Sequence, residues 1–225
     1  MSKAETPKPT GKYAVGTFTF TVYDALDETM YNAAGTKRSI PARVYYPVSK
    51  ESVKDLPQAR YLTREMIAAI RKQYMMPVKY EKVEEDGTNR SECYENAPFI
   101  DGERFLLILF NHGYGSFREA HSFLLCELAS HGYVTVSIGH PHEGMLTELD
   151  DGRTFGIAKG IASHCYSPYF KAVRALKKLS KAKGTNEELW KMFDNIQKTY
   201  NRFLIERVGQ WETDTRIVLH YIKEN

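Results

Sequence analysis

Hydrophobic and polar positions alternate along residues 14–23 (AVGTFTFTVY). Val15, Thr17, Phe18, Phe20 and Val22 give an imperfect period of two in β-branched and aromatic types, which predicts a strand. Residues 39–46 (SIPARVYY) alternate too and stop at Pro47, and the turn-rich stretch between them predicts neighbouring strands. Residues 61–75 change to helical spacing, with Leu62, Met66, Ala69 and Ile70 on one face, Thr63 as N-cap and Pro77 just past the end. Residues 80–102 are polar and hold Asp86-Gly87 and Asp101-Gly102, which predicts an exposed loop.

The centre of the chain carries the clearest pattern. Residues 104–110 (RFLLILF) form a nearly unbroken apolar run, as in a strand buried on both faces. NHGYG follows at 111–115. A helix is then expected over about 118–131, with Ala120, Phe123, Leu124 and Leu128 on one face and Gly132 closing it. Residues 133–138 (YVTVSI) predict a second strand. Strand, Gly-rich turn, helix, Gly and strand make a βαβ unit, hence a parallel pair joined by a right-handed crossover. Beyond it, 146–157 predicts a hairpin turning at Asp151-Gly152. Three helical patterns close the chain. Residues 168–180 carry Tyr169, Val173, Leu176 and Leu179; residues 186–204 carry Leu189, Phe193, Ile196, Tyr200 and Phe203; residues 206–223 carry Val208, Trp211, Thr215, Val218 and Ile222. Thr185 and Glu188 have the spacing of a capping box.

Composition narrows the class. In 225 residues, 42% hydrophobic and 26% charged, there is enough apolar mass for one domain with a wet surface. Lys plus Arg is 31 against 28 Asp plus Glu, with no basic block of the kind a dedicated nucleic-acid binder uses, so no nucleic-acid partner is expected. Three cysteines (Cys93, Cys126, Cys165) suit neither a disulfide scaffold nor a Cys-x-x-Cys metal pair. Residues 1–12 hold two prolines and three lysines and predict a disordered N-terminus. There is no apolar leader and no run of 18 apolar residues, so the expectation is a cytoplasmic protein without a transmembrane segment.

A Gly-rich turn behind an apolar strand is where open α/β sheets bind ligands. Its backbone amides can donate to a developing oxyanion, a contact worth roughly 3–4 kcal/mol. His112, Gly113 and Gly115 build a turn that resembles the oxyanion loop of α/β-hydrolases, and that resemblance implies the amide of Tyr114 as the donor. His112 reads as the residue that fixes the turn rather than as a base. Ser116 and Ser122 stand at the start of a helix and read as capping or solvated hydroxyls. His140, His142, Glu143 and His164 invite a metal reading, since His-x-His at a strand end could place two ligands on one side and Glu143 could add oxygen, but no metal or cofactor is expected. Cys126 reads as a small core residue, and Cys165 beside His164 is not by itself a dyad. The aromatic stripe Trp190, Phe193, Tyr200 and Phe203 reads as core packing, with a lipid-binding lid as the alternative. Lys171, Lys177, Lys178, Lys181 and Lys183 read as a solvated face, with a membrane-surface role as the alternative.

Residues 112–144 (HGYGSFREAHSFLLCELASHGYVTVSIGHPHEG) resemble the platelet-activating-factor acetylhydrolase group of the α/β-hydrolases. The resemblance rests on His-Gly-x-Gly, on Ser116-Phe117-Arg118, on Leu-Ala-Ser-His-Gly-Tyr-Val at 128–134, and on Gly139-His140-Pro141. It extends to Gly16, Asp24 and Tyr45-Tyr46-Pro47, and to the helix with Asp214 and Arg216 to Leu219, thus from about 14 to 223. It implies an α/β fold with a central, mostly parallel sheet, flanking helices and a helical excursion at about 166–205, the whole of 13–225 being the N-terminal portion of one hydrolase domain. It implies a carboxylic-ester hydrolase acting on an ester or phospholipid-like substrate. In such enzymes a Gly-x-Ser-x-Gly elbow precedes the triad acid and histidine. The nearest match is Gly152-Arg153-Thr154-Phe155-Gly156, which has Thr at its centre and no buried strand before it. No catalytic residue is therefore expected within this chain, which holds an oxyanion turn but no triad. The chain alone is expected to be inactive, and to self-associate or to be completed by a C-terminal polypeptide at the open edge of 104–110. The alternatives are a non-catalytic binding protein using that edge and a metal-dependent hydrolase using His140 and His142.

Overall fold

The computed structural model describes residues 7–29 and 35–225, with the side chains of 162–167 outside the description. It divides into two compact units, 1–157 with 217–225, and 158–216. The first is built on a six-stranded sheet. β1 (Ala14–Asp27) pairs antiparallel with β2 (Lys37–Val48), Phe18 opposite Val44 and Gly16 opposite Tyr46. The short β3 (Gln58–Arg60) and β4 (Arg90–Glu95) extend the sheet on the β1 side, and β5 (Leu106–Asn111) and β6 (Tyr133–Ile138) extend it on the β2 side. The spatial order is β3-β4-β1-β2-β6-β5. β5 and β6 are parallel, as are β1 and β4, and the other pairs are antiparallel.

The alternation along β1 and β2 sorts the two faces. Ile40, Ala42, Val44, Tyr46 and Val48 project to one side, where Val136, Ile138 and then Val218 complete an apolar cluster. On the other side Val15 and Tyr45 pack with Cys93, Leu125, Cys126 and Ala129. This second face is mixed: Thr17, Arg43, Thr135 and Ser137 are buried there too. Their polar atoms are answered locally, Thr135 donating to the Leu125 carbonyl at 3.2 Å and Ser137 to that of Arg118 at 2.7 Å. Gly16 is required by a close approach. A Cβ there would lie 2.5 Å from the Tyr46 ring, whose hydroxyl is tied to the Ala97 carbonyl at 2.6 Å. Gly16→Ala is expected to cost about 1–3 kcal/mol in a urea titration, because the buried ring has nowhere to retreat.

Several expectations are met. Thr63 caps α1 (Arg64–Tyr74) by accepting from the Met66 amide. The hairpin is present as β7 (Leu146–Glu148) and β8 (Thr154–Gly156). Between β5 and β6 lies α3 (Ser122–Ser130), followed by Gly132 at φ 99°. Its buried face differs from the expected one. Ser122, Leu125, Cys126 and Ala129 meet the sheet, while Phe123 and Leu124 are exposed. Small side chains bring this helix close to the strands. Cys126 is in the core as expected, but it is also joined to Cys93 of β4 in a disulfide, a correction to its reading as a plain core residue.

The stretch 80–102 is corrected as well: it holds α2 (Tyr80–Glu85) and β4. The buried positions of β4 are Ser91 and Cys93, too small and too polar to reveal a strand by hydrophobicity. The run at 104–110 is not buried on both faces. β5 is the sheet edge, and Leu106 is 72% exposed. Of the disordered terminus expected over 1–12, residues 1–6 lie outside the described residues. Within the rest, the Thr10 amide donates to Glu127 at 2.8 Å and the Gly11 amide to the Ser130 hydroxyl at 3.0 Å.

The second unit is helical. α4 (Ile161–Leu179) follows its N-cap Gly160, starts seven residues before the expected 168, and carries Pro168 inside it. α5 (Asn186–Tyr200) has the expected capping box, with Thr185 and Glu188 exchanging bonds. α6 (Arg202–Glu224) supplies Arg207 and Asp214 as buried polar groups. Trp190 and Phe193 stack at 5.4 Å, but Trp190 is exposed and α5 buries no residue, which corrects its reading as core packing. Tyr169, Val173 and Val208, expected on inner faces, are also exposed.

Candidate active site

The turn expected at the carboxyl end of β5 is present and well anchored. The Ser116 amide donates to the Gly113 carbonyl at 2.9 Å, closing a four-residue turn. Gly115 occupies its third position at φ 74°, the left-handed conformation that a type II turn demands and that glycine adopts without strain. A Cβ at Gly113 would meet nothing within 4 Å, so the backbone at this point is open to its surroundings.

A second loop holds the turn from behind. The Gly115 amide donates to the Glu143 carbonyl at 3.0 Å, and the Met145 amide to that of Ser116 at 2.7 Å. This loop follows β6 and winds around one carbonyl: Glu143 N, Gly144 N and the Thr147 hydroxyl all donate to His140 O, at 3.2, 3.1 and 3.1 Å. The Glu143 carboxylate accepts from Arg38 Nη2 at 3.1 Å. Arg38 Nη1 donates to Glu28 at 2.7 Å and to the Pro141 carbonyl at 3.2 Å. All three charged side chains are essentially sealed from solvent. A strand residue of β2 thus holds the β6 loop, which in turn holds the β5 turn.

His112 is buried and lies edge-on to His140, ring centres 5.4 Å apart. Its Nδ1 is 2.9 Å from the Gly113 carbonyl. A carbonyl only accepts, so the proton sits on Nδ1. Burial lowers the His112 pKa below the ordinary 6.5, with the bond to Gly113 opposing. Its contribution to stability is therefore fully present above the unfolded value and is lost as pH falls through the folded one. The urea midpoint is expected to fall as pH drops below the ordinary histidine value of 6.5, and to fall less in His112→Asn. An unchanged slope in the variant would contradict this. His140 Nε2 donates to Asn111 Oδ1 at 2.9 Å, linking the ends of the two parallel strands.

The structure therefore brings together His112, Gly113, Tyr114, Gly115, Ser116, His140 and Glu143, while His142 sits beside them at φ 67° with its ring against Phe155. The carboxylate of Glu143 is engaged by Arg38, and among the described residues no three His, Cys, Asp or Glu side chains converge as a metal would require. The side chains of His164 and Cys165 lie outside the described residues. Ser122 is the first residue of α3, its amide bonded to the Glu119 carbonyl at 3.0 Å. Thr154 opens β8 in a hairpin, without the strand–turn–helix setting of a nucleophile elbow.

Sequence reasoning missed the Arg38–Glu28–Glu143 network and a charged cavity of about 580 Å3 lined in part by Arg43, Arg118, Glu119 and Glu148. Arg43 donates to Thr17 at 3.1 Å and to Glu95 at 3.0 Å. Burial alone would raise the Glu119 carboxyl, but the Arg118 and Arg43 guanidiniums hold it below the usual range. Burial raises that of Glu148 against a hydrogen bond from Thr63. The sequence signal for the second network was Arg43 within the 39–46 alternation; Arg38, just before that stretch and between Lys37 and Ser39, gave none.

A sheet of this order with the glycine turn at a strand's carboxyl end defines an α/β-hydrolase fold. The ferulic acid esterase from Streptomyces cinnamoneus superposes on it with a TM-score of 0.55, covering 81% of this chain and 50% of that one at 19% identity. A family model described as platelet-activating factor acetylhydrolase, isoform II, matches residues 1–148, and the chain belongs to that family. Similar proteins include the platelet-activating factor acetylhydrolases of Cavia porcellus, 29% identical over 143 residues and 61% of this chain, and of Canis lupus familiaris, 29% identical over 145 residues and 62% of this chain. The matched region spans 29% of the length of each of these relatives.

Proposed function

We propose that this chain supplies the oxyanion side of a serine carboxylic-ester hydrolase acting on a short acyl ester of phospholipid type. The observation that carries the proposal is the His112–Gly115 turn, closed by Ser116 and pinned through Gly115 to Glu143. A turn held this firmly keeps its donors in place while charge develops on the substrate, so no reorganisation is needed at the moment of reaction. The Tyr114 amide is the proposed donor, with His112, Gly113 and Gly115 shaping the backbone around it. The attacking hydroxyl and its base are assigned to residues outside this sequence, which contains no Gly-x-Ser-x-Gly. We assign a strand bearing them to the edge of β5, where Leu106 and Leu107 are exposed and, among the described residues, no strand pairs on that side.

Treating the purified chain with a fluorophosphonate probe and with nitrophenyl acetate tests this. The expected result is no covalent adduct and no acyl burst. An adduct on any serine of this chain, mapped by peptide mass spectrometry, would show a nucleophile inside it and overturn the assignment.

A further inference from the structure

The charged cavity of about 580 Å3 belongs wholly to the first unit, and none of residues 112–116 lines it. Five carboxylates face three guanidiniums along its wall, which leaves two negative charges in excess. The pairing is uneven. Arg43 donates to Glu95 at 3.0 Å and Arg118 to Glu119 at 2.7 Å. Arg60 turns to Glu84, which is not in the wall, at 3.3 Å. The carboxylates of Glu65, Glu148 and Asp150 are left without a lysine or arginine at ion-pair distance among the described residues. Glu148 accepts from the Thr63 hydroxyl at 2.7 Å, at the start of α1, where a helix favours an anion. Burial nevertheless raises its carboxyl above the ordinary value, and Glu119 and Glu65 push the same way.

A second observation is independent of these carboxylates. Tyr45 stands two residues from Arg43 on the same face of β2, with the Arg43 guanidinium 5.7 Å from its ring centre. It is 1% exposed, and its hydroxyl has no hydrogen-bond partner among the described residues. The groups that act on that hydroxyl include Arg43, Glu119, Arg118 and Tyr61, and all four line the cavity. A buried hydroxyl without a partner is costly. A ligand N–H at the inner end of the cavity meets that need.

The chemistry of the ligand follows from the wall. The guanidiniums of Arg43 and Arg118 are already engaged by carboxylates, so an anion finds no spare partner there, whereas a cation does. The carboxylates do not converge on one point: among the described residues no three His, Cys, Asp or Glu side chains come together as a metal ion requires. Leu62, Met66 and Leu149 stand in the same wall and suit methylene groups. Positive charges spaced along an aliphatic chain satisfy all of these features.

We propose that this cavity binds a linear aliphatic polyamine, with Glu148 and Glu65 taking its ammonium groups and the Tyr45 oxygen accepting one N–H. The site stands on its own residues and does not depend on the ester-hydrolase assignment.

Isothermal titration of the whole chain with spermidine at low salt tests it. One site is expected, with propylamine, which carries a single ammonium, and magnesium chloride each binding at least about tenfold more weakly. Glu148→Gln should weaken spermidine about tenfold, the loss of one charge-assisted contact in a shielded site. Glu65→Gln, at an exposed position of α1, should weaken it about threefold. Tyr45→Phe keeps the ring and should also weaken it about threefold, while its urea midpoint stays level or rises because an unmet hydroxyl has been removed. Glu212→Gln removes an exposed carboxylate outside the cavity and should bind as the wild type does. Absence of spermidine binding, equal affinity for propylamine or magnesium, full binding by Glu148→Gln or by Tyr45→Phe, or an equal loss in Glu212→Gln would each overturn the proposal.

Discussion

Replacing Arg38 by alanine is expected to destabilise the chain by about 3–5 kcal/mol, the cost of breaking a buried ion pair from one side. The guanidinium is fully shielded from solvent and serves two carboxylates, Glu28 at 2.7 Å and Glu143 at 3.1 Å, which are shielded as well. Its removal takes from both carboxylates the guanidinium that offsets their charge in a buried site. Domains are stable by about 5–15 kcal/mol in total, so the variant should sit near its unfolding threshold at room temperature. Arg38→Lys keeps the charge but loses the fork that reaches Glu28, Glu143 and the Pro141 carbonyl together, and an intermediate loss is expected. Adding Glu143→Gln to Arg38→Ala should recover part of the loss by removing one stranded charge. The readout is the urea midpoint of each variant. A loss below about 1 kcal/mol for the alanine variant would mean that the network is hydrated rather than sealed. A local effect should accompany the global one: the Gly115 amide, which donates to the Glu143 carbonyl, should exchange its hydrogen faster once the β6 loop loses Arg38.

The second large effect concerns Tyr114. Under the proposed oxyanion role, Tyr114→Pro should lower the turnover of nitrophenyl acetate by about 10²–10³-fold when the chain is assayed together with the proposed nucleophile-bearing polypeptide, the range found when one oxyanion donor is removed. The substitution is unusually selective. Tyr114 is the second residue of the Gly113–Ser116 turn, and Gly115 at φ 74° gives that turn the type II form in which proline at the second position is favoured. The backbone of the turn is therefore preserved, while the amide hydrogen and the half-buried ring are both lost, and the urea midpoint should fall no further than in Tyr114→Ala, which loses the ring and keeps the amide. The loss should fall on kcat rather than KM, because the contact strengthens only as charge develops. Tyr114→Phe keeps the amide and should retain turnover. Equal losses in the proline and phenylalanine variants would assign the effect to the phenol instead and remove Tyr114's backbone from the mechanism.

Much of the scaffold was legible because local and global preferences agree there. The alternation of β1 and β2, the apolar β6, the Thr63 and Thr185 caps and the turn after β5 each follow from signals within about ten residues. Errors arose where burial and hydrophobicity part company. β4 buries Ser91 and Cys93, so its inner face looks polar on paper. β5 looks like a central strand, yet it is an edge with Leu106 in the open. α3 turns Phe123 and Leu124 outward, because Ser122, Cys126 and Ala129 allow a closer approach to the sheet than aromatic groups would. Helical periodicity gave the period in that case but not the phase.

The candidate site divides along the same line. The sequence by itself determined where the chain turns back after β5, since two glycines around Tyr114 permit a conformation that other residues resist, and it determined that no Gly-x-Ser-x-Gly lies within these residues. Only the tertiary structure decided what holds that turn: Glu143 is 28 residues from Gly115, and Arg38 a further 105 residues from Glu143 in the other direction. Neither partner is implied by its neighbours in sequence. A charge becomes a clamp only when folding has removed the water that would otherwise satisfy it, and that removal is a property of the packed sheet and its loops, not of any one segment.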